Sequence, residues 1–110
     1  MYESDEDSSP HSWRYRAACR EEDTNTFYPP RHRSEYKRTA DRAKSFCFGG
    51  KNTAACPVRS ECLWFAVDTH EPHGIWGGLS HRERNALVRR WNRTMRTILT
   101  LKEFIMRGNV

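Results

Sequence analysis

Two of the four cysteines lie in the segment Cys56-Pro57-Val58-Arg59-Ser60-Glu61-Cys62-Leu63-Trp64-Phe65-Ala66. Within it, Cys62, Phe65 and Ala66 recur at three- and four-residue spacing, which is typical of one face of a helix. We therefore predict a helix over about 58–69, which ends before Pro72 because proline cannot continue it. Cys56 thus lies just before a short helix, and Cys62 lies on its first turns.

The segments on either side of this stretch predict a second helix and a tight turn. The helix starts near Arg31–Tyr36 and runs through Phe46, because Pro29-Pro30 suits a helix start and Gly49-Gly50 suits a stop. The turn is Gly74-Ile75-Trp76-Gly77-Gly78, in which three glycines surround one large aromatic residue. That glycine density predicts positive φ angles rather than a helix or a long strand.

The C-terminal third predicts one long amphipathic helix. It starts at Ser80, which forms a capping box with Glu83, and it extends to about Met106. We expect Trp91 of this helix, like Trp64 of the helix over 58–69, to lie in the core. Apolar residues follow helical spacing at Leu87, Trp91, Met95, Ile98, Leu101 and Ile105. The predicted fold class is therefore all-α, a small helical bundle.

The composition limits the chain to one small domain with little core material. Its 110 residues are 36% hydrophobic and 30% charged, and the mean hydropathy is −0.94. The longest apolar run, 63–67, is too short to cross a membrane. The first nine residues hold four acids and no basic residue, so we expect no secretory signal and a cytoplasmic location. We divide the chain into a disordered acidic tail (1–11), a cysteine-containing domain (12–79) and a basic helix (80–110).

Arginines make the last helix a candidate nucleic-acid surface. The net charge is +5, and basic side chains on the polar face of a helix attract phosphates. The weaker candidates for phosphate contact are Arg82 and Arg84. The stronger candidates are Arg89, Arg90, Arg93 and Arg96. The alternative interpretation is a solvated helix face that keeps a small domain soluble.

The candidate functional residues are the four cysteines, Cys19, Cys47, Cys56 and Cys62. They are separated by 27, eight and five residues, without a C-x-x-C pair. Spacing leaves four interpretations open: two disulfides, a four-thiolate zinc site, a 4Fe–4S cluster, or small buried side chains. Disulfides are disfavoured in a reducing cytosol. His70 and His73 are weaker ligand candidates, because four thiols are available.

Three motifs, in one order along the chain, resemble the actinobacterial WhiB-like proteins. In residues 17–29, Cys19 is followed by acidic residues, two aromatic residues and a proline. The stretch 56–66 is similar to the family's C-P-V-x-x-x-C-L helix. The segment 74–78 is similar to the family's G-[VI]-W-G-G turn, and Glu83-Arg84 follows it as in the family.

The resemblance implies both a cofactor and a partner. WhiB-like proteins hold a 4Fe–4S cluster sensitive to oxygen and nitric oxide, and they regulate transcription, commonly by docking on the C-terminal domain of the principal sigma factor of RNA polymerase. By resemblance, the four cysteines bind one cluster per chain and Gly74, Gly77 and Gly78 form the turn. The sigma-factor surface would comprise Trp13, Phe27, Tyr28 and Trp76. Alternatively, these aromatic residues only roof the cluster and exclude solvent.

The chain departs from the family pattern between its second and third cysteines. The family's last three ligands follow C-x-x-C-x5-C, whereas eight residues separate Cys47 from Cys56, which corresponds to a six-residue insertion. A longer loop of this kind costs no more than about 1 kcal/mol of closure entropy. The chain also lacks the family's Gly-Arg-rich ending, so we expect DNA binding to be secondary to action on the polymerase.

Two alternative functions remain at this point. One is a zinc-stabilised module that binds DNA or polymerase without redox chemistry. The other is a thiol–disulfide oxidoreductase activity of the cluster-free protein, whose four thiols could pair as disulfides. The lack of C-x-x-C disfavours it. The sequence shows no Ser-His-Asp order, phosphate-binding loop or carboxylate pair, so we expect no enzymatic activity.

Overall fold

A computed structural model describes residues 12–22, 24–29, 33–50 and 54–107. Within these residues the chain forms two 3-10 helices, Ser12–Arg16 and Thr24–Phe27, and four α-helices. The α-helices are α1 (Arg33–Phe48), α2 (Arg59–Asp68), α3 (His81–Thr94) and α4 (Leu101–Met106). No strand occurs in the part of the chain that the structure describes, which confirms the predicted all-α fold. The predicted acidic tail, 1–11, lies outside the described residues.

The first two α-helices follow the sequence prediction closely. Helix α1 ends beside Gly49, whose φ of +77° is a conformation that glycine adopts at low cost. Helix α2 ends at Asp68, ahead of Pro72. Helix α1 packs against the second 3-10 helix, and α2 packs against the first 3-10 helix and α4.

The C-terminal segment corrects the prediction of one continuous helix from Ser80 to Met106. The capping box at Ser80 and Glu83 is present, but α3 ends at Thr94 and a new helix starts after Thr100. A second capping box, between Thr100 and Glu103, sets that new start. The intervening turn leaves Ile98 69% exposed, so this residue is not part of the predicted apolar stripe.

The break allows α4 to fold back onto α2. The Trp91 indole N–H donates to the Leu99 carbonyl at 2.8 Å and closes the turn. Phe104 and Ile105 of α4 then join Leu63 and Leu87 in the larger buried cluster. Trp64 and Trp91 pack against this cluster while partly buried, so the prediction that both belong to the core is confirmed.

A second, smaller buried cluster lies at the N-terminal side. Ala40 and Ala43 of α1 pack with Ile75 of the glycine-rich turn, and Phe27 covers them. Cys47 and Val58 are also buried. In the described residues, no helix is both long and apolar enough to span a membrane.

Candidate cysteine-lined metal centre

All four cysteines line one cavity of about 200 Å³. Each comes from a different piece of local structure: the turn after the first 3-10 helix, the end of α1, the residue that precedes the bend into α2, and the first turn of α2. The structure therefore brings together thiols that are up to 43 positions apart in the sequence. The sequence predicted these residues as a set, and the fold assembles them around a shared space.

Backbone hydrogen bonds fix the two cysteines that flank the insertion. The Cys56 N–H donates to the Cys47 carbonyl at 3.0 Å, so the two ends of the inserted segment are held together. The Ala18 N–H donates to the Cys56 sulfur at 3.4 Å, which ties the Cys19 turn to the same site. Residues 51–53 of the insertion lie outside the described residues. The described ends show that the longer loop leaves the second and third cysteines as neighbours.

The turn that carries Cys19 is attached to α1 through an acidic residue. The Glu22 carboxylate accepts hydrogen bonds from the Arg42 guanidinium and the Thr26 hydroxyl, both at 3.0 Å. Arg42 lies on α1, one and a half turns before Cys47. Glu22 therefore helps to hold the turn that carries Cys19 against α1.

The glycine-rich turn contributes Ile75, Trp76 and Gly77 to the lining of the cavity. The predicted positive φ angles are present at Gly74 (+86°), Gly77 (+58°) and Gly78 (+86°). A Cβ at Gly77 would lie 2.6 Å from Leu63 Cβ, and one at Gly78 would collide with the Phe48 ring. Only glycine allows this turn to approach α2 and the end of α1 so closely.

This close approach aims two backbone N–H groups at cysteine sulfurs. The Gly77 N–H donates to the Cys62 sulfur and the Gly78 N–H donates to the Cys47 sulfur. The Arg59 guanidinium donates to the Gly77 carbonyl at 2.8 Å and holds the turn on α2. Hydrogen bonds of this kind stabilise negative charge on a sulfur ligand.

Burial determines the protonation of the thiols. Burial and, to a smaller extent, the neighbouring thiols raise the pKa of Cys62 to about 12, against the opposing effect of the Gly77 N–H. Burial likewise raises the pKa of Cys47 to about 11, and it raises that of Cys19 above the ordinary value. At neutral pH these free thiols stay protonated, so a bound metal or cluster must supply the positive charge that holds them as thiolates.

Aromatic side chains pack together beside the cavity. The Phe65 ring lies between Trp13, at 5.9 Å, and Trp76, at 5.5 Å between ring centroids. The Arg14 guanidinium stacks over all three rings, at 5.1 Å from Trp13, 4.8 Å from Phe65 and 6.0 Å from Trp76. Trp13, Arg14 and Trp76 also line the cavity. We call Trp13, Arg14, Phe65 and Trp76 the aromatic roof.

Two of its members were absent from the sequence prediction. Phe65 follows Cys62 by three positions and therefore lies on the same face of α2, which is a signal that the sequence contains. Arg14 has no such signal beyond its position next to Trp13.

The other two predicted aromatic residues have different surroundings. Phe27 lines the cysteine cavity and its ring lies 5.9 Å from that of Phe46. Tyr28 does not line this cavity but lies behind the turn, against Gly74, where it borders an open cleft of about 620 Å³. Three of the four predicted aromatic residues thus share the cysteine cavity.

The predicted phosphate-binding arginines differ in exposure. Arg89, Arg90 and Arg93 are exposed on α3, and the Arg90 guanidinium lies 5.4 Å from the Phe104 ring centre. Arg96 is exposed in the turn after α3 and donates to Asn92 Oδ1 at 3.3 Å. Arg84 is only 3% exposed, so its weaker assignment to a phosphate-binding surface is wrong.

The described histidines lie outside the cysteine cavity. His70 and His73, the weaker ligand candidates, are both exposed and do not line it. Among the described residues, no three His, Cys, Asp or Glu side chains are placed to hold one metal ion.

Comparisons with known proteins agree with these features. A family model described as "Transcription factor WhiB" matches residues 13–87. The chain is 39% identical over 90 residues to "Transcriptional regulator WhiB1" of Bifidobacterium longum, covering 82% of this chain and 91% of that protein. It is 40% identical over 82 residues to the WhiB1 of Mycobacterium tuberculosis, covering 74% and 90%. It is 43% identical over 75 residues to "Transcriptional regulator WhiB" of Streptomyces coelicolor, covering 68% and 74%.

Proposed function

This chain belongs to the WhiB family of transcription factors, and from that membership we propose a transcriptional regulator that binds one 4Fe–4S cluster. The ligands are Cys19, Cys47, Cys56 and Cys62. The observation that carries the proposal is the convergence of these four thiols on one cavity. When bound, the cluster would supply a redox centre that responds to oxygen or nitric oxide, as the resemblance implies.

The residues around the cavity suit this cofactor. Four thiolates are the ligand set of a 4Fe–4S cluster. The Gly77 and Gly78 N–H groups stabilise the charge on two of the sulfurs, and three members of the aromatic roof, Trp13, Arg14 and Trp76, line the same cavity. A structural zinc ion needs four ligands about 2.3 Å from a single point. The family membership, together with four thiols around one cavity of about 200 Å³, favours a cluster over one zinc ion.

Metal and sulfide analysis of protein purified without oxygen tests the cofactor. We expect broad visible absorption and about four irons and four acid-labile sulfides per chain, as the cluster formula requires. Cys56→Ser should abolish the absorption, and Ser45→Ala, an exposed change on α1, should leave it intact. Stoichiometric zinc without sulfide would contradict the cluster and favour the zinc-stabilised module.

We also propose that the aromatic roof docks on the C-terminal domain of the principal sigma factor. Tryptophan and arginine are the side chains that most often dominate binding at protein interfaces. Here Trp13, Trp76 and Arg14 stack together beside the cluster cavity. A docked partner would cover this side of the cavity and protect the cluster.

Binding to the isolated sigma domain tests this surface. Trp76→Ala should weaken binding by about 30-fold or more, the loss typical of a residue that dominates an interface, with the cluster absorption unchanged. Tyr36→Ala removes an exposed aromatic ring outside the cysteine cavity and should bind as the wild type does. Loss of absorption together with binding would instead make Trp76 a purely structural cover.

A secondary contact with DNA is proposed for the exposed arginines of α3. Arg89 and Arg93 lie in the last turns of this helix, Arg90 is exposed beside Arg89, and Arg96 is exposed in the turn that follows. Phosphate contacts release counterions, so affinity for duplex DNA should fall steeply as salt rises from about 50 to 200 mM. Arg89→Gln with Arg93→Gln should reduce that slope. An affinity that does not change with salt would contradict this proposal.

The family membership favours regulation over catalysis. A thiol–disulfide exchange activity of the cluster-free protein can be checked by insulin reduction. We expect no activity, because the raised pKa values of Cys47 and Cys62 leave few thiolates to act as nucleophiles at neutral pH.

A further inference from the structure

Arg84 is a buried cation whose hydrogen bonds all end on one short segment. Its guanidinium donates to the carbonyls of Glu71 and Leu79 at 2.8 Å, of Gly74 at 3.0 Å and of His73 at 3.4 Å. A planar guanidinium can serve four acceptors at once because its donors form a rigid fork. Burying a cation is costly unless its donors are paired, so this arrangement fixes residues 71–79 on α3.

The fixed segment is the one that presents N–H groups to the cluster ligands. Gly77 and Gly78 lie between two of the acceptors, Gly74 and Leu79. The turn is closed by paired hydrogen bonds of 3.0 Å between Trp76 and Leu79. Arg84 therefore holds both ends of the turn whose centre donates to the sulfurs of Cys62 and Cys47.

We propose that Arg84 is a positioning residue for the 4Fe–4S cluster. By holding the Gly77 and Gly78 N–H groups on the ligand sulfurs, Arg84 sets the reduction potential and the lifetime of the cluster. The inference rests on the proposed function, since it requires a bound cluster. Hydrogen bonds to sulfur offset the extra negative charge of the reduced state and therefore raise the potential. The positive charge of Arg84 would act in the same direction on a bound cluster.

Three substitutions separate the effect of the Arg84 hydrogen bonds from the effect of its positive charge. Arg84→Lys keeps the cation, but a single ammonium cannot reach four carbonyls in a fixed geometry. Arg84→Gln removes both the charge and the fork. Arg82→Gln is the matched control, because it removes an equal charge from an exposed position on the same helix.

The midpoint potential of the cluster and its rate of loss in air are the measurements. We expect both Arg84 variants to lower the potential and to lose the cluster about 10-fold faster or more, the usual effect of removing a partner of a metal ligand. Arg82→Gln should match the wild type. The folds of all variants are compared by far-UV circular dichroism and thermal unfolding.

The remaining outcomes distinguish failure of the inference about Arg84 from failure of the proposed function. A wild-type potential and lifetime in Arg84→Lys and Arg84→Gln would overturn the inference. An unfolded state of both variants, with and without the cluster, would also overturn it, because Arg84 would then be a general structural residue. A wild-type protein that takes up no iron and sulfide would overturn the proposed function instead.

Discussion

At Gly77 the backbone has a φ of +58°, and an added Cβ would lie 2.6 Å from Leu63 Cβ and 2.8 Å from the Arg59 carbonyl. Gly77→Ala should therefore lower the free energy of unfolding by about 1–3 kcal/mol, through backbone strain and overpacking. Gly50→Ala is the control, since no atom lies within 4 Å of a Cβ at that position. Thermal and denaturant unfolding measure both. Equal stability of the two variants would contradict the close approach of the turn to α2.

Residue types differ in how well the sequence alone predicts their role. Cysteine and glycine have narrow chemistry, so the four cysteines and the three turn glycines could be identified from their types and order. Arginine serves equally on a solvated face and in a buried network, and the carbonyls around Arg84 come from a segment whose path the sequence does not specify. One signal was present: Arg84 precedes Leu87 by three positions and Trp91 by seven, which places it on the buried face of α3.

At the element scale, the C-terminal break separates two helices that apolar periodicity alone joins into one. Apolar residues continue at helical spacing through Met95 and Ile98, so the period contains no sign of a stop. The sign is instead the pattern Thr100-x-x-Glu103, which repeats the Ser80-x-x-Glu83 pattern that starts α3. A capping box in the middle of an apolar repeat therefore predicts a new helix start.

Thr100 tests whether that cap holds α4 in place. Its hydroxyl accepts from the Glu103 N–H at 3.1 Å. Thr100→Ala should lower the free energy of unfolding by about 0.5–2 kcal/mol, the usual cost of losing an N-cap side chain. Thr97→Ala, in the exposed turn before α4, should have little effect. A Thr100 variant as stable as the Thr97 variant would show that packing of Phe104 and Ile105 alone holds α4.

In the molecule as a whole, the described residues form two small buried clusters, and Phe27 and Ile75 of the smaller one also line the cysteine cavity. The larger cluster joins α2, α3 and α4 through apolar side chains such as Leu63 and Ile105. The smaller one joins α1 to the turn through Ala40, Ala43 and Ile75, which bury much less apolar area. A chain with 36% hydrophobic residues has little else to hold its N-terminal half. A bound 4Fe–4S cluster would supply that cohesion by linking Cys19 and Cys47 to α2.

Removal of the 4Fe–4S cluster should therefore loosen the N-terminal half of the molecule more than the C-terminal half. In amide hydrogen exchange, we expect α1, together with 12–29, to lose most of its protection when iron is chelated. Helices α3 and α4 should keep protection, because their contacts with α2 involve Leu63, Leu87 and Phe104 rather than thiols. The internal control is α2, which belongs to both halves: protection at its start should fall more than protection at its end. A uniform loss along the chain would contradict this division and would make the cluster the nucleus of the entire fold.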